Sequence, residues 1–497
     1  MSVGIRLEPR HAIDRHDRHR QEQDRPMRPA AVAAFLGFST ADDNSMTQFS
    51  LSEKPLDLAG IGFGPSNIGL AIALEEQAER SGRALDTAYF DRQASYSWHG
   101  GTLVQQSDLQ ISFLKDLVTL RNPQSPYSFV NYLHRKERLI DFINIGTFYP
   151  CRMEFNDYLC WVASHFSDAC RYGTEVVRVE PVADRAGVIS MLDVVTRGPD
   201  GIERVRRTRS LVVGTGGTPR IPALFAGLKD DPRVFHHADY VRRIATQPCA
   251  AGTPMRIALV GGGQSAAEAF IDLNDSFPSV RADMILRSAV LRPADDTPFV
   301  NEIFAPAYTD VMFNLPEDER AQLIRDYHNT NYSVVDAELI DRIYGILYRQ
   351  KVSGVQRHGF LCRRQIEAVA SDGDGIALTL RDLSNGVLEE IRYDAVVLAT
   401  GYERNSHRRL LEPLGDLTGD LRVDRDYRVS TDPKLTAPVF IQGFCEETHG
   451  LSDTLLSVLP VRAAEIAAAL YRDLAPADGR SRRQSGPTGL VAGALNH

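Results

Sequence analysis

Short apolar runs that end in glycine recur along this chain. Leu56-Asp57-Leu58-Ala59 leads into Gly62-Phe63-Gly64-Pro65-Ser66-Asn67, and Arg256-Ile257-Ala258-Leu259-Val260 leads into Gly261-Gly262-Gly263-Gln264-Ser265-Ala266. Each turn opens an Ala-rich stretch of helical period. Ser210-Leu211-Val212-Val213-Gly214 and Asp394-Ala395-Val396-Val397-Leu398-Ala399-Thr400-Gly401 repeat the run without the helix. Apolar positions in these runs do not alternate with polar ones. They therefore predict strands covered on both faces, as in parallel sheets built from βαβ units.

The two glycine turns carry candidate chemistry. A strand delivers the chain to a bend where a side chain would block a pyrophosphate, and glycine allows both the backbone angles and the close approach. The following helix aims its first amides and its positive dipole end at the phosphates. One such turn also fits an ordinary βα unit. Two in one chain, roughly 200 residues apart, point to two bound dinucleotides and hydride transfer from nicotinamide to flavin. The first turn departs from G-x-G-x-x-G, since Asn67 stands at the third glycine.

The second strand of each unit separates the two sites. Thr87-Ala88-Tyr89-Phe90-Asp91 closes on an acid that can take ribose hydroxyls. Ala282-Asp283-Met284-Ile285-Leu286-Arg287 closes on an arginine that can pair with a 2′-phosphate. A solvated charge at a strand end reads the same at Arg287. The residues thus place FAD at the first turn and NADPH at the second.

Composition narrows the class. At 497 residues there is room for two or three domains, and the net charge of -9 argues against nucleic-acid binding. No apolar run approaches the ~18 residues of a membrane span. The six cysteines show no C-x-x-C and no zinc spacing, so no metal is expected, and reduced cysteines suit a cytoplasmic protein. Residues 6–28 mix Arg, His and acids without apolar period, which predicts disorder. Met46 is expected to lie close to the functional start.

Three segments have neither period: Trp98-His99-Gly100 through Gln110 to Asp116, Asp295 to Phe304, and Tyr327 to Ser333. Each mixes amides, charge and aromatics, which suits a pocket for a small polar substrate and equally suits loop packing. These segments resemble those of the flavin-dependent N-hydroxylating monooxygenases, most closely the ornithine-hydroxylating branch of bacterial siderophore biosynthesis. The likeness runs from about Leu56 to Leu470. Its most specific stretches are Phe63 to Asn67, Gln110 to Arg121, Asn156 to Leu159, Gly261 to Asp272, Pro298 to Phe304, His328 to Val335, Ala399 to Arg404 and His449 to Pro460. Asn67 in the third glycine position is this family's habit.

The resemblance implies a fold, a site and a reaction. The fold is α/β, with two Rossmann-like domains for FAD and NADPH, the latter inserted in the former, and a smaller, mainly helical substrate region. Expected boundaries are a disordered extension over 1–50 and the first part of the FAD domain over 51–215. The NADPH domain covers 216–400, with substrate elements at about 290–360. The FAD domain returns over 401–474, and a loose tail occupies 475–497. FAD would lie against Gly62, Gly64, Pro65, Ser66, Asn67, Asp91, Trp98, His99, Gln110 and Val176, with Thr454, Leu455 and Leu456 near its ring system. NADPH would lie against Gly262, Gly263, Gln264, Ser265, Arg287, Asn331, Tyr332 and Ser333. Lys115 would pair with the substrate carboxylate, and Asn301, Glu302, Ile303 and Phe304 would hold its polar backbone. Asn331 and Ser457 would flank the amine.

The implied reaction consumes L-ornithine, dioxygen and NADPH. Reduced flavin takes up dioxygen as a C(4a)-hydroperoxide, and the neutral δ-amine attacks its distal oxygen. No protein general base is expected. A homo-oligomer is expected from the family, which includes tetramers. The alternatives are a lysine N(6)-hydroxylase of the same family and a non-catalytic flavoprotein partner in a peptide-synthetase pathway. A flavin disulfide reductase would need a redox cysteine pair, which is lacking.

Overall fold

The computed structural model describes residues 54–475. The expectations for residues 1–50, for Met46 and for the tail beyond 475 lie outside it.

Two wholly parallel five-stranded sheets organise the chain. The first runs, in spatial order, Val439–Ile441, Leu211–Val213, Leu58–Ile61, Thr87–Phe90 and Cys170–Arg171. The second runs Gly359–Leu361, Val280–Ile285, Met255–Val260, Ala395–Leu398 and Val234–His236. Their central strands are the apolar runs seen in sequence, and Leu58–Ile61 and Ala395–Leu398 are buried throughout. On the second sheet helices pack on one face and the antiparallel strand Gly375–Asp382 on the other, so continuous apolar strands cost nothing in exposed surface. The α/β class expected from the sequence is the one found.

Four strands of each sheet share one order along the chain: strand, glycine turn, helix, strand, third strand, a three-stranded antiparallel meander, then the fourth strand; the fifth comes last in the first sheet (Val439–Ile441) and first in the second (Val234–His236). The meanders are Glu175–Ala183, Ile189–Arg197 and Glu203–Thr208 in the first half, and Arg364–Asp372, Gly375–Asp382 and Leu388–Tyr393 in the second. The glycine-turn helices are Pro65–Ser81 and Gln264–Ser276. The second sheet lies wholly between Leu211–Val213 and Val439–Ile441 of the first.

Helices Tyr308–Asn314, Glu317–Tyr327 and Ala337–Ser353 fill the crossover between Val280–Ile285 and Gly359–Leu361. The supposedly aperiodic segments here contain short turns of helix, Pro298–Asn301, Glu302–Phe304 and His328–Thr330. They are too short for a period to show. The last described helix runs Leu459–Asp473. Pro460 sits in its first turn, where a missing N–H is harmless.

Candidate active site

The first glycine turn is held from beneath. Gly62 has φ +80°, and a Cβ there would stand 2.8 Å from the Gly214 carbonyl oxygen. Gly64 precedes the helix; a Cβ on it would meet nothing within 4 Å, and no side chain caps the helix start. Free amides therefore face open space, as an anion requires. Asn67 is fully buried. Its Nδ2 donates to the carbonyls of Gly62 (2.6 Å) and Ile61 (3.2 Å), and its Oδ1 accepts from Gln442 Nε2 (2.7 Å). Asparagine in place of glycine thus ties the turn to the returning strand.

Asp91 braces the same turn. Its carboxylate accepts from the backbone amides of Phe63 (2.7 Å) and Gln93 (2.8 Å). The amide of Thr174 donates to the Asp91 carbonyl at 2.8 Å, two residues before Val176, whose side chain is buried in the core of this half. The Trp98 amide donates to Asn156 Oδ1 at 2.8 Å, and its ring packs on Phe155 and His99. Ser66 Oγ accepts from Arg462 at 2.9 Å. Arg462 is itself buried and paired with buried Asp453 at 2.9 Å, and Asp453 accepts the Cys445 amide at 2.7 Å. This ion pair fixes Thr454, Leu455 and Leu456 relative to the first turn.

The second turn repeats the geometry. Gly261 has φ +145°, and a Cβ there would stand 2.3 Å from the Ala399 carbonyl oxygen. Gly263 precedes a helix with no side-chain cap. Ser333, at φ +60°, brings its Cα to 3.6 Å from a Cβ built on Gly263. Arg287 is exposed just past the strand and has no ion pair among the described residues.

A cleft of about 1720 Å³ opens beside the second turn; Gly62, Gly64, Pro65, Ser66, Asn67, Asp91, Trp98, His99 and Val176 are not among its lining residues. Gly262, Gly263, Gln264, Ser265, Arg287, Asn331, Tyr332 and Ser333 line it, as do Gln110, Lys115, Asn301, Phe304, Leu455 and Ser457. Glu302 is exposed, and neither it nor Ile303 lines the cleft; the helical turn carries them away while Asn301 and Phe304 face in. Thr454 reaches it through Tyr332, whose hydroxyl lies 3.4 Å from Thr454 Oγ1. Leu456 packs instead against the aromatic core of the first half.

Electrostatics sharpen the cleft. Lys115 is half-buried, has no ion pair among the described residues, and burial lowers its pKa. The neighbouring Asp116 does not neutralise it, because its carboxylate accepts the amides of Val118, Thr119 and Phe129 and the Thr119 hydroxyl. Ser457 is 1 % exposed and its hydroxyl has no partner. Tyr332 donates to Glu446 at 2.5 Å; burial, then that carboxylate, pushes the phenol up to about 12. Burial likewise raises Glu446. Two uncapped helix starts behind glycine turns, an unpaired cation and an orphan hydroxyl fit two dinucleotides and a zwitterionic substrate.

Sequence reading missed the residues that hold others in place: Gln442 under Asn67, Arg462 with Asp453, Glu446 on Tyr332, and Asp336, which accepts from both Gln110 and Gln264. Asp336 alone carried a sequence signal, an acid placed just before a helical period.

Comparison with known proteins gives a consistent result. Residues 54–404 match the family described as L-lysine 6-monooxygenase/L-ornithine 5-monooxygenase. The chain is similar to the L-ornithine N(5)-monooxygenase of Pseudomonas aeruginosa, 61% identical over 431 residues, which are 87% of this chain and 97% of that protein. Among solved structures, the ornithine hydroxylase of Pseudomonas aeruginosa superposes with a TM-score of 0.81 at 60% identity, over 85% of this chain and 100% of that one. The ornithine N-hydroxylase of Kutzneria sp. 744, with reduced FAD, NADP+ and L-ornithine, gives 0.78 at 37% identity, over 84% and 99%.

Proposed function

The chain belongs to the L-lysine 6-monooxygenase/L-ornithine 5-monooxygenase family, and from that premise we propose that it hydroxylates the side-chain amine of L-ornithine. The product is N(5)-hydroxy-L-ornithine, for hydroxamate siderophores. FAD, NADPH and dioxygen are the other participants. The reading includes a cytosolic homo-oligomer. The supporting observation is that one cleft gathers the second glycine turn, the unpaired Lys115 and the orphan hydroxyl of Ser457.

On this reading the first turn holds FAD, with Asp91 and Asn67 keeping the turn in shape. The second holds NADPH, with Arg287 toward its 2′-phosphate. Bound FAD, reduced by NADPH, supplies the oxygen-activating chemistry. The chain's own residues bind and orient. Lys115 takes the substrate carboxylate, and Asn301 lies along the polar backbone with Phe304 behind it. Asn331 and Ser457 flank the amine.

Only a neutral amine has a lone pair to offer. With a pKa near that of lysine, removing its proton at pH 7 costs roughly 4–5 kcal/mol. Desolvation beside Phe304 and Leu455, which line the cleft, lowers that cost, and neutral amide and hydroxyl neighbours leave no counter-charge to favour the ammonium form. Anaerobic NADPH should bleach the flavin absorbance of the loaded protein, and NADH should do so far more slowly. A spectrum that NADPH leaves unchanged overturns the reading in favour of a non-catalytic flavoprotein.

A further inference from the structure

Asp336 occupies the N-cap position of helix Ala337–Ser353, yet its carboxylate does not cap that helix. Aspartate is favoured at this position because its oxygen accepts the first free amides. Here the oxygens serve other partners. Oδ1 accepts from Gln110 Nε2 at 2.8 Å, and Oδ2 accepts from Gln264 Nε2 at 2.7 Å. The Asp336 amide in turn donates to Gln264 Oε1 at 3.0 Å. Both ends of the Gln264 carboxamide therefore meet Asp336.

The contacts continue into a closed ring. Gln264 Nε2 also donates to Glu268 Oε1 at 3.0 Å. Glu268 is buried and takes a two-pronged pair from Arg152, at 3.0 Å and 2.9 Å. Arg152 Nε donates to the Asp108 carbonyl at 3.2 Å, two residues from Gln110. The ring joins the Gln110 loop and helix Arg152–Ser164 of the first half to helix Gln264–Ser276 and the segment before Ala337. Backbone bonds from Val335 to Arg292 and from Ala294 to Val335, both 2.9 Å, fix that segment independently of the ring.

We propose that Asp336 is a positioning residue that orients Gln110 and Gln264 together, and so sets the nicotinamide side of the cleft against the flavin side. The proposal rests on the reading of Gln110 as a flavin neighbour and Gln264 as part of the NADPH turn. It gives the carboxylate a task its own helix leaves undone. It also predicts which bond matters: the link from Asp336 to Gln110 joins two residues of the cleft lining, whereas Arg152 and Glu268 are not among the lining residues.

NADP+ binding to the FAD-loaded protein tests this by equilibrium titration of the unaltered chain, Asp336→Ala, Gln110→Ala and the double variant. Asp336→Ala should weaken NADP+ roughly tenfold, the effect of losing a charge-assisted hydrogen bond. The two single-variant factors should fail to multiply in the double variant, because both remove the same link. Hydroxylamine formed per NADPH should fall, with the balance appearing as peroxide. A merely structural role would lower thermal stability and leave the factors multiplicative. Should Asp336→Ala not fold, Asp336→Asn keeps the shape but offers one acceptor for two donors, and the same loss of NADP+ affinity is expected. An unaltered protein that fails to bind NADP+ overturns the cofactor reading and this inference with it. Normal binding that the Asp336 variants leave unchanged, or multiplying factors, overturns this inference alone.

Discussion

The carboxamides of Asn67 and Gln442 meet at 2.7 Å beneath the first glycine turn, although 375 positions separate them in the chain. Asn67 turns its amide to the turn carbonyls and its oxygen to the strand that returns from the second half. The residue that breaks the dinucleotide fingerprint is thus the one that joins the FAD half across its insertion.

Restoring the glycine should therefore do harm. Asn67→Gly leaves buried carbonyls and a buried Gln442 amide unpaired, and Gln442 Oε1 already lacks a partner. A loss of about 2–3 kcal/mol in unfolding free energy is expected, together with weaker FAD retention. Urea denaturation and FAD release on gel filtration measure both. A variant as stable as the parent would show that the tie is dispensable.

Lys115→Ala should raise the KM for ornithine while FAD stays bound. The ammonium is only half-buried, so solvent screening keeps the effect below that of a buried pair. About 1.5–3 kcal/mol, roughly 10- to 100-fold in KM, is expected. NADPH should then be spent on peroxide, because reduced flavin forms without an aligned amine. An unchanged KM removes Lys115 from the substrate site.

Ser457→Ala separates binding from packing. A buried hydroxyl without a partner costs stability, so its removal should leave the unfolding midpoint unchanged or slightly raised. Activity should move the other way, with kcat/KM for ornithine falling roughly tenfold, about 1.4 kcal/mol. A destabilised variant of full activity would assign the hydroxyl to the fold instead.

The sequence made some of this legible and not the rest, for physical reasons. Strands such as Leu58–Ile61 and Met255–Val260 announce themselves because both faces are covered and their residues are apolar. The meanders are harder to read: Glu203–Thr208 is charged at most positions and half-exposed, and the buried apolar residues of Gly375–Asp382 and Ile189–Arg197 are broken by Thr379 and Asp193. Site residues on the glycine turns come from local backbone need. Gln442, Arg462 and Glu446 do not, because their roles exist only when segments far apart in sequence meet. Nor did any local signal separate Asn301 and Phe304, which face the cleft, from Glu302 and Ile303, which do not. A single turn of helix decides that.

Acid should destabilise the fold below pH 6.5. Burial holds His237 at about 3 and His358, His407 and His449 at about 4, against an ordinary 6.5. The unfolded chain then binds more protons than the folded one between pH 6.5 and about 4. Stability is complete above pH 6.5 and is lost as pH falls through that window, by up to about 1.4 kcal/mol per pH unit for each histidine. Unfolding midpoints at pH 7, 6 and 5 report the slope. A flat profile would mean that these rings take up protons in the folded state.

The central claim is coupled hydroxylation of ornithine. Its most direct test is NADPH-dependent hydroxylamine formation by the FAD-loaded protein, with L-ornithine and L-lysine compared while peroxide is monitored. One methylene separates these substrates by about 1–3 kcal/mol. The expected result is hydroxylamine matching NADPH consumption with ornithine and mainly peroxide with lysine. Product chiefly with lysine, or peroxide alone with both, would contradict the account.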